Sequence, residues 1–354
     1  MHALRTQTIR SILAPLLGLC AIASLGTNAA KAVDEPRAPV AIRFSLDRPI
    51  DAAAAPFVMA ATGGLFGAEA LAVTTDIAGG SPDAIARVAA GSSDFALVDI
   101  NALARFRDKD KQGVPAVKAV FVLLNKAPYA IVARKSRGIR ALSDIEGKTL
   151  GVAEGDLSIR LWPAVAKQNG IKIANVKQSS ISAAVREPML SAGQIDAVTG
   201  FSYLSALNLK DRGIPADDLA VLKFADYGCE SYGLAVIVNP ALAAAKPETV
   251  RGFVRAVIGG MNLAVKDPAA AVTEIVSRME GGSRDLELER LRTLLRDNIL
   301  TDEVRRNGFG GIDAARLERS IDQLAQDFKF QKRPQVSDIF DDQFLPPVND
   351  RLIN

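Results

Sequence analysis

The phrase AGSSDFALVDI at residues 90–100 returns as AGQIDAVTGF at 192–201. In both, Ala-Gly closes an amphipathic stretch, and an apolar burst follows within a few residues. Glycine after a helix-like stretch is a stop, because it enters the left-handed conformation without a side-chain penalty. A short apolar run behind such a stop predicts a buried strand. One helix–stop–strand phrase used twice, about a hundred residues apart, therefore predicts two βαβ blocks and an α/β fold.

The rest of the chain fits this grammar. VAIRFSL (40–46), LAVTTDI (71–77), DFALVDI (94–100), VKAVFVLL (117–124) and YAIVAR (129–134) read as strands. Helical stretches lie between most of them, among them SPDAIARVAAG with Ser81 as N-cap, Pro82 in the first turn and Gly91 as stop. A second block repeats the cycle. It has a strand at 149–153, a helix with Pro163 in its first turn, the strand IANVKQS and a helix that Pro188 is expected to kink. The strand IDAVTGF, LAVLKFA and YGLAVIVN (232–239) complete the strands. The blocks span about 40–132 and 135–231. From Pro240 onward the pattern turns helical, with Val250, Phe253, Val254, Val257 and Met261 at helical spacing. The mixed-charge helices ERLRTLLRD and RLERSIDQLAQDF read as solvated faces.

The start of the chain predicts export. Arg5 and Arg10 precede the mainly apolar 12–25, and Ala30-x-Ala32 offers a cleavage site. That apolar stretch is about 14 residues, short of the ~20 needed to span a bilayer. Leu19 before Cys20 does not suit lipoprotein processing, so residues 1–32 are expected to be a cleaved signal peptide and the product an unlipidated periplasmic protein. Without the leader, the 43 bases and 40 acids of the full sequence fall to 40 of each. A near-neutral chain gives no support for a nucleic-acid partner or an anionic membrane. The one histidine, His2, lies in the leader, which removes Ser-His, Cys-His and His-metal chemistry from the mature chain. Cys229 is its one remaining cysteine and reads as a buried thiol.

In the stretches AAPFVMAATGGLFGAEALAV, VAAGSSDFALVDI, LSDIEGKTLGVAEGDLS, MLSAGQIDAVTGF and YGLAVIVNPALAAAKPETVRGFVRAVIGGMNLAVKDPAAAV, the sequence resembles the periplasmic substrate-binding proteins of ABC importers. The branch is that of nitrate, sulfonate, taurine and thiamine-precursor binders. The resemblance implies a two-lobed periplasmic-binding-protein fold of type II with a helical C-terminal tail. Residues 33–132 plus 233–354 would form one lobe and 133–232 the other, with crossovers at 131–135 and 230–235. It implies hinge closure on a small solute, delivery to an ABC permease, no cofactor, no metal and a monomer. DRPIDAAA lacks the aromatic residue that thiamine-precursor binders often place after the first strand. The mature chain also lacks the His and Cys-rich features of the related fungal pyrimidine synthase.

In open α/β sheets, ligands bind beside the carboxyl ends of strands. In GVAEGDLS, Glu154, Gly155, Asp156 and Ser158 form a strand end and an expected helix start, whose N–H groups suit an anion; capping by Asp156 or Ser158 is the competing role. Arg186 is the candidate cation for a carboxylate or sulfonate, against an ion pair with Glu187 or Asp196. Asp99, Asn101, Thr199 and Phe201 stand where the two repeated phrases end; Asp99 suits a helix cap equally well. Pro49, Ile50 and Asp51 follow the first strand. Glu230 and Tyr232, near the second crossover, suit either the cleft or the hinge.

The resemblance implies a receptor with no chemical step, and Arg186 with the expected helix start points to a small organic anion as its ligand. A pyrimidine or thiamine-precursor ligand is the alternative, since Glu154 and Glu230 suit N–H donors. A ligand-sensing domain is a further one. A periplasmic hydrolase using carboxylates or a Ser-Lys pair is remote, because no spacing singles out one carboxylate pair and GxSxG does not occur.

Overall fold

The computed structural model describes residues 38–108 and 116–353. The expected signal peptide lies outside them. Among the described residues no helix is long and apolar enough to cross a membrane.

Ten strands are present among these residues: β1 (Val40–Leu46), β2 (Leu71–Ile77), β3 (Phe95–Asp99), β4 (Lys118–Val122), β5 (Tyr129–Arg134), β6 (Thr149–Ala153), β7 (Lys177–Ile181), β8 (Ala197–Phe201), β9 (Leu219–Lys223) and β10 (Leu234–Val238). They form two five-stranded sheets in the orders β2-β1-β3-β10-β4 and β7-β6-β8-β5-β9. The sheets share one plan. A parallel trio, β2-β1-β3 or β7-β6-β8, is followed by one antiparallel strand, β10 or β5. In the first sheet that strand, β10, returns after the second sheet is complete, whereas the second sheet is built from the continuous run β5–β9, with β5 as its first strand. The two repeated phrases supply β3 and β8, which hold equivalent places at the centres of their sheets.

The chain leaves the first sheet at Val122 and enters the second at Tyr129; it returns between Lys223 and Leu234. The first connection is therefore 123–128, ahead of the 131–135 read from the sequence, because Tyr129–Arg134 is one unbroken apolar strand of the second sheet. The lobes meet in a shared core, in which Ala235 and Ile237 of β10 pack in one cluster with Tyr129 and Ile131 of β5. On the outer face of the first sheet, Phe95 stacks on Phe253 at 4.1 Å between ring centroids. Phe253 comes from the helix Pro247–Lys266, as its apolar spacing predicted.

Two local expectations change. Gly80, with φ +118°, is the N-cap of the helix Ser81–Ala89, and Ser81 is its first residue. The Ser81 hydroxyl is committed elsewhere, donating to Asp47 Oδ2 at 2.5 Å and accepting the Asp99 N–H at 3.0 Å. Pro188 does not kink a long helix; it sits in the first turn of the short helix Arg186–Ala192, behind a 3-10 turn at Ala183–Val185.

Candidate functional site

The carboxyl ends of β1, β6 and β8 and the turn after β2 surround a cavity of about 490 Å³. This lies within the range of small-molecule sites, roughly 300–1,000 Å³. One lobe contributes Asp47, Arg48 and the turn Gly79–Pro82. The other contributes the loop Ala153–Leu157, Ala183, Arg186, Gly200, Phe201 and Leu204. A larger hollow of about 620 Å³ beside Glu318 and Arg333 is lined wholly by residues of the C-terminal segment 312–342. It lies away from the strand ends that face each other between the lobes.

Arg48 is the first lobe's main contribution. Its Nε and Nη2 donate to the two carboxylate oxygens of Asp47 at 2.8 and 2.9 Å. Asp47 is itself fixed by the Ser81 hydroxyl. Burial works against the Arg48 charge, but the attraction of Asp47, helped by Tyr203 and Asp51, raises its pKa well above the usual value. The guanidinium lies over the Phe201 ring, 4.7 Å from its centroid, and so reaches the opposite lobe. Its Nη1 has no hydrogen-bond partner among the described residues.

On the facing wall, Arg186 donates through Nε to Glu187 Oε1 at 3.0 Å and through Nη1 to the Thr199 carbonyl at 3.2 Å. Asp156 Oδ2 stands 3.9 Å from Nη1. Among the described residues Nη2 has no partner. Gly200 creates the space for this side chain: a Cβ there would lie 2.6 Å from Ser205 Oγ and 2.9 Å from Arg186 Nη1. The competing role foreseen for Arg186, an ion pair with Glu187, is thus realised while the residue still lines the cavity.

The loop after β6 is held by Asp156. Its Oδ1 accepts from the Ser158 N–H at 2.9 Å and hydroxyl at 2.6 Å, and its Oδ2 accepts from Thr199 Oγ1 at 2.6 Å. Gly155 turns the loop with φ +76°. The expected helix start at 156–158 is instead a 3-10 turn at Ser158–Arg160, and the α-helix begins at Trp162 with Pro163 behind it. The Ser158 N–H is spent on Asp156. Ser158 and Thr199 are buried as braces of the loop, whereas Glu154 is exposed at the rim and its carboxylate makes no hydrogen bond among the described residues.

Of the residues singled out from the sequence, Glu154, Gly155, Asp156, Arg186 and Phe201 thus meet in one cavity. The others lie behind it or away from it. Asp99 caps the helix Ile100–Arg107 by accepting from the Asn101 N–H, and it also accepts from the Tyr129 hydroxyl of the other lobe. Burial raises its carboxyl to about 6 against the opposing pull of these hydrogen bonds. Asn101 is buried beside it and donates to the Tyr232 carbonyl at 3.1 Å. Asp51 caps the turn Ala52–Ala54 and accepts from the Tyr203 hydroxyl at 3.2 Å; burial raises its pKa although Arg48 opposes the shift. Pro49 is exposed and Ile50 packs on the core. Glu230 pairs with Arg319 at 3.1 Å, and the Tyr232 hydroxyl donates to Glu303 at 2.8 Å, which places both at the second connection and outside the cavity lining.

Arg48, Asp47 and the Gly79–Pro82 turn were not singled out as cleft residues. Their signal is present in the sequence: each directly follows a strand, as the chosen residues do, and Gly79-Gly80 before a helix marks a tight turn.

The comparisons with known proteins agree with this geometry. Residues 51–271 match the family described as NMT1/THI5 like. The riboflavin-binding protein RibY of Chloroflexus aurantiacus is 26% identical over 307 residues, 82% of each chain. A 4-amino-5-hydroxymethyl-2-methylpyrimidine phosphate synthase of Legionella pneumophila is 27% identical over 160 residues, 45% of this chain and 50% of its own. The periplasmic aliphatic sulphonate binding protein SsuA of Escherichia coli superposes with a TM-score of 0.68 at 13% identity, over 85% of this chain and 91% of its own. The two sheets, the first completed by the returning strand β10, form the two-lobed periplasmic-binding-protein fold, and the chain belongs to the NMT1/THI5-like family.

Proposed function

We propose that this protein is an exported solute receptor that closes its lobes on a small organic anion, a carboxylate or sulfonate, and delivers it to an ABC permease. The observation that carries the reading is the pair of guanidinium groups on opposite walls of one cavity, Arg48 and Arg186, each with an Nη outside the protein's own hydrogen bonds. Guanidinium N–H groups suit carboxylate and sulfonate oxygens. Pro82, Leu157, Ala183, Phe201 and Leu204 offer apolar surface for an organic body, in a cavity far larger than a bare inorganic anion requires. A ligand that touches both walls favours the closed arrangement over the open one, and capture follows without a chemical step. Transport is supported by the names of relatives with the same fold, among them a periplasmic aliphatic sulphonate binding protein.

A second reading is a neutral heteroaromatic ligand with N–H donors. Glu154 favours it, as an unbonded carboxylate at the rim; so does the surplus of Asp47, Glu154 and Asp156 over the two arginines in the lining. The names of the riboflavin-binding relative and the pyrimidine phosphate synthase point the same way.

A thermal-shift panel of sulfonates, aromatic and aliphatic carboxylates, pyrimidines and flavins on refolded protein separates the two. At about 100 times its dissociation constant a ligand adds roughly 2.7 kcal/mol of stability. Saturable shifts with sulfonates or carboxylates support the anion reading. Shifts with pyrimidines or flavins alone replace it with the second, and no shift with any compound counts against the receptor.

A further inference from the structure

The mixed-charge helix Ala314–Leu324 has one arginine that does not face solvent. Arg316 is largely buried, with a side-chain exposure of 12%. Its Nη2 donates to the Asn125 carbonyl at 2.7 Å and its Nη1 to Asn125 Oδ1 at 3.1 Å, both in the first connection between the lobes. Its Nε donates to the Glu230 carbonyl at 2.9 Å, in the second connection. The guanidinium also lies over the ring of Tyr232, 4.0 Å from the centroid. One side chain thus ties together the two strands of chain that pass between the lobes.

A carboxylate completes the cluster. Glu303 accepts from Arg316 Nη1 at 2.9 Å, from Asn125 Nδ2 at 3.0 Å and from the Tyr232 hydroxyl at 2.8 Å. It touches the same two connections from the other side. The connections also meet directly, through the Ala127 N–H and the Ser231 carbonyl at 3.0 Å. Two independent linkers would allow the lobes to slide and twist as well as close. Linkers fixed to one planar, five-donor group and one carboxylate keep a single register. A lysine cannot replace the arginine, since an ammonium is a point charge without the fork that reaches both carbonyls and Glu303.

We propose that Arg316 is a positioning residue for ligand capture: it holds the two interlobe connections in one register and so sets the equilibrium between open and closed lobes. The word capture rests on the receptor reading above; the effect on lobe geometry does not.

The test uses the full chain with spin labels at Lys177→Cys and Lys246→Cys, exposed positions in different lobes. Cys20 and the buried Cys229 are replaced by Ser, so that the two introduced cysteines are the only labelled thiols. Interlobe distances are measured by double electron–electron resonance without ligand, for wild-type Arg316 and for Arg316→Lys. The expected result is a narrow distribution for Arg316 and a broader, shifted one for Arg316→Lys. An affinity about tenfold weaker at unchanged stoichiometry is expected for any compound that the panel identifies. A folded Arg316→Lys protein with the wild-type distribution overturns the proposal, even if its melting temperature falls, because that is the behaviour of structural glue alone. If Arg316→Lys does not fold, Asn125→Ala removes one acceptor and leaves the backbone carbonyls. It is expected to broaden the distribution, and an unchanged distribution overturns the proposal equally. If no compound binds wild type, the receptor reading fails while the distance result still decides the role of Arg316.

Discussion

The Arg48 guanidinium lies over the Phe201 ring at 4.7 Å from its centroid, a contact made from the end of β1 in one lobe to the end of β8 in the other. It closes a circuit. Arg48 is held by Asp47, Asp47 by Ser81, and Ser81 receives the Asp99 N–H. Asp99 accepts from Tyr129, whose ring packs 5.8 Å from that of Phe201. The cavity wall and the meeting place of the lobes are thereby parts of one contact ring.

Arg48→Ala removes both the cross-lobe contact and a charge-assisted donor. Hydrogen bonds to charged groups contribute about 1.5–3 kcal/mol, so affinity for the captured anion is expected to fall by roughly 10- to 100-fold, read by calorimetry. Affinity equal to wild type would remove Arg48 from the site.

Gly200→Ala puts a Cβ against Ser205 Oγ and the Arg186 guanidinium. Overpacking of this kind typically costs about 1–3 kcal/mol. The expected outcome is a lower melting temperature together with weaker binding, because Arg186 must leave its place on the cavity wall. Unchanged values of both would mean that the guanidinium does not occupy the space above Gly200.

Much of this arrangement was legible in the sequence, and the reason is local. A glycine stop followed by an apolar burst identified β3 and β8, and the carboxyl-end rule brought Glu154, Arg186 and Phe201 to one cavity. Asp99 and Asn101 obey the same rule but turn inward, because β3 is followed at once by a helix whose first N–H groups need a cap. Whether a residue after a strand faces ligand or core depends on what the other lobe presents. Tyr129 presents a hydroxyl to Asp99, and Phe201 presents a ring to Arg48. Those partners are about 30 and 150 residues away, and no spacing rule relates them.

Thr199→Val deletes the hydroxyl that donates to Asp156 Oδ2. A buried acceptor that loses a partner costs about 1–3 kcal/mol, and here the loss falls on the loop Ala153–Leu157. Faster amide exchange in that loop and a raised ligand dissociation rate are expected. Wild-type exchange would show that the Thr199–Asp156 bond does not hold the loop.

Asp99 makes stability depend on pH in a definite direction. Its folded carboxyl titrates at about 6, above the ordinary 3.8, since burial disfavours the charge. The folded state therefore holds the proton more tightly, and this contribution is fully present below about pH 4 and lost as pH rises to about 6 and beyond. A shift of this size corresponds to roughly 3 kcal/mol. Denaturant melts across that range should show the decline in wild type and a flatter profile in Asp99→Asn; parallel profiles would contradict the assignment.

The most direct measurement is a calorimetric titration of wild type and Arg186→Gln with the anion that gives the largest thermal shift. A single saturable site is expected in wild type and at least tenfold weaker binding in the variant, whose fold is intact by circular dichroism. Equal affinities, or binding of uncharged heteroaromatic compounds only, would contradict an anion held between Arg48 and Arg186.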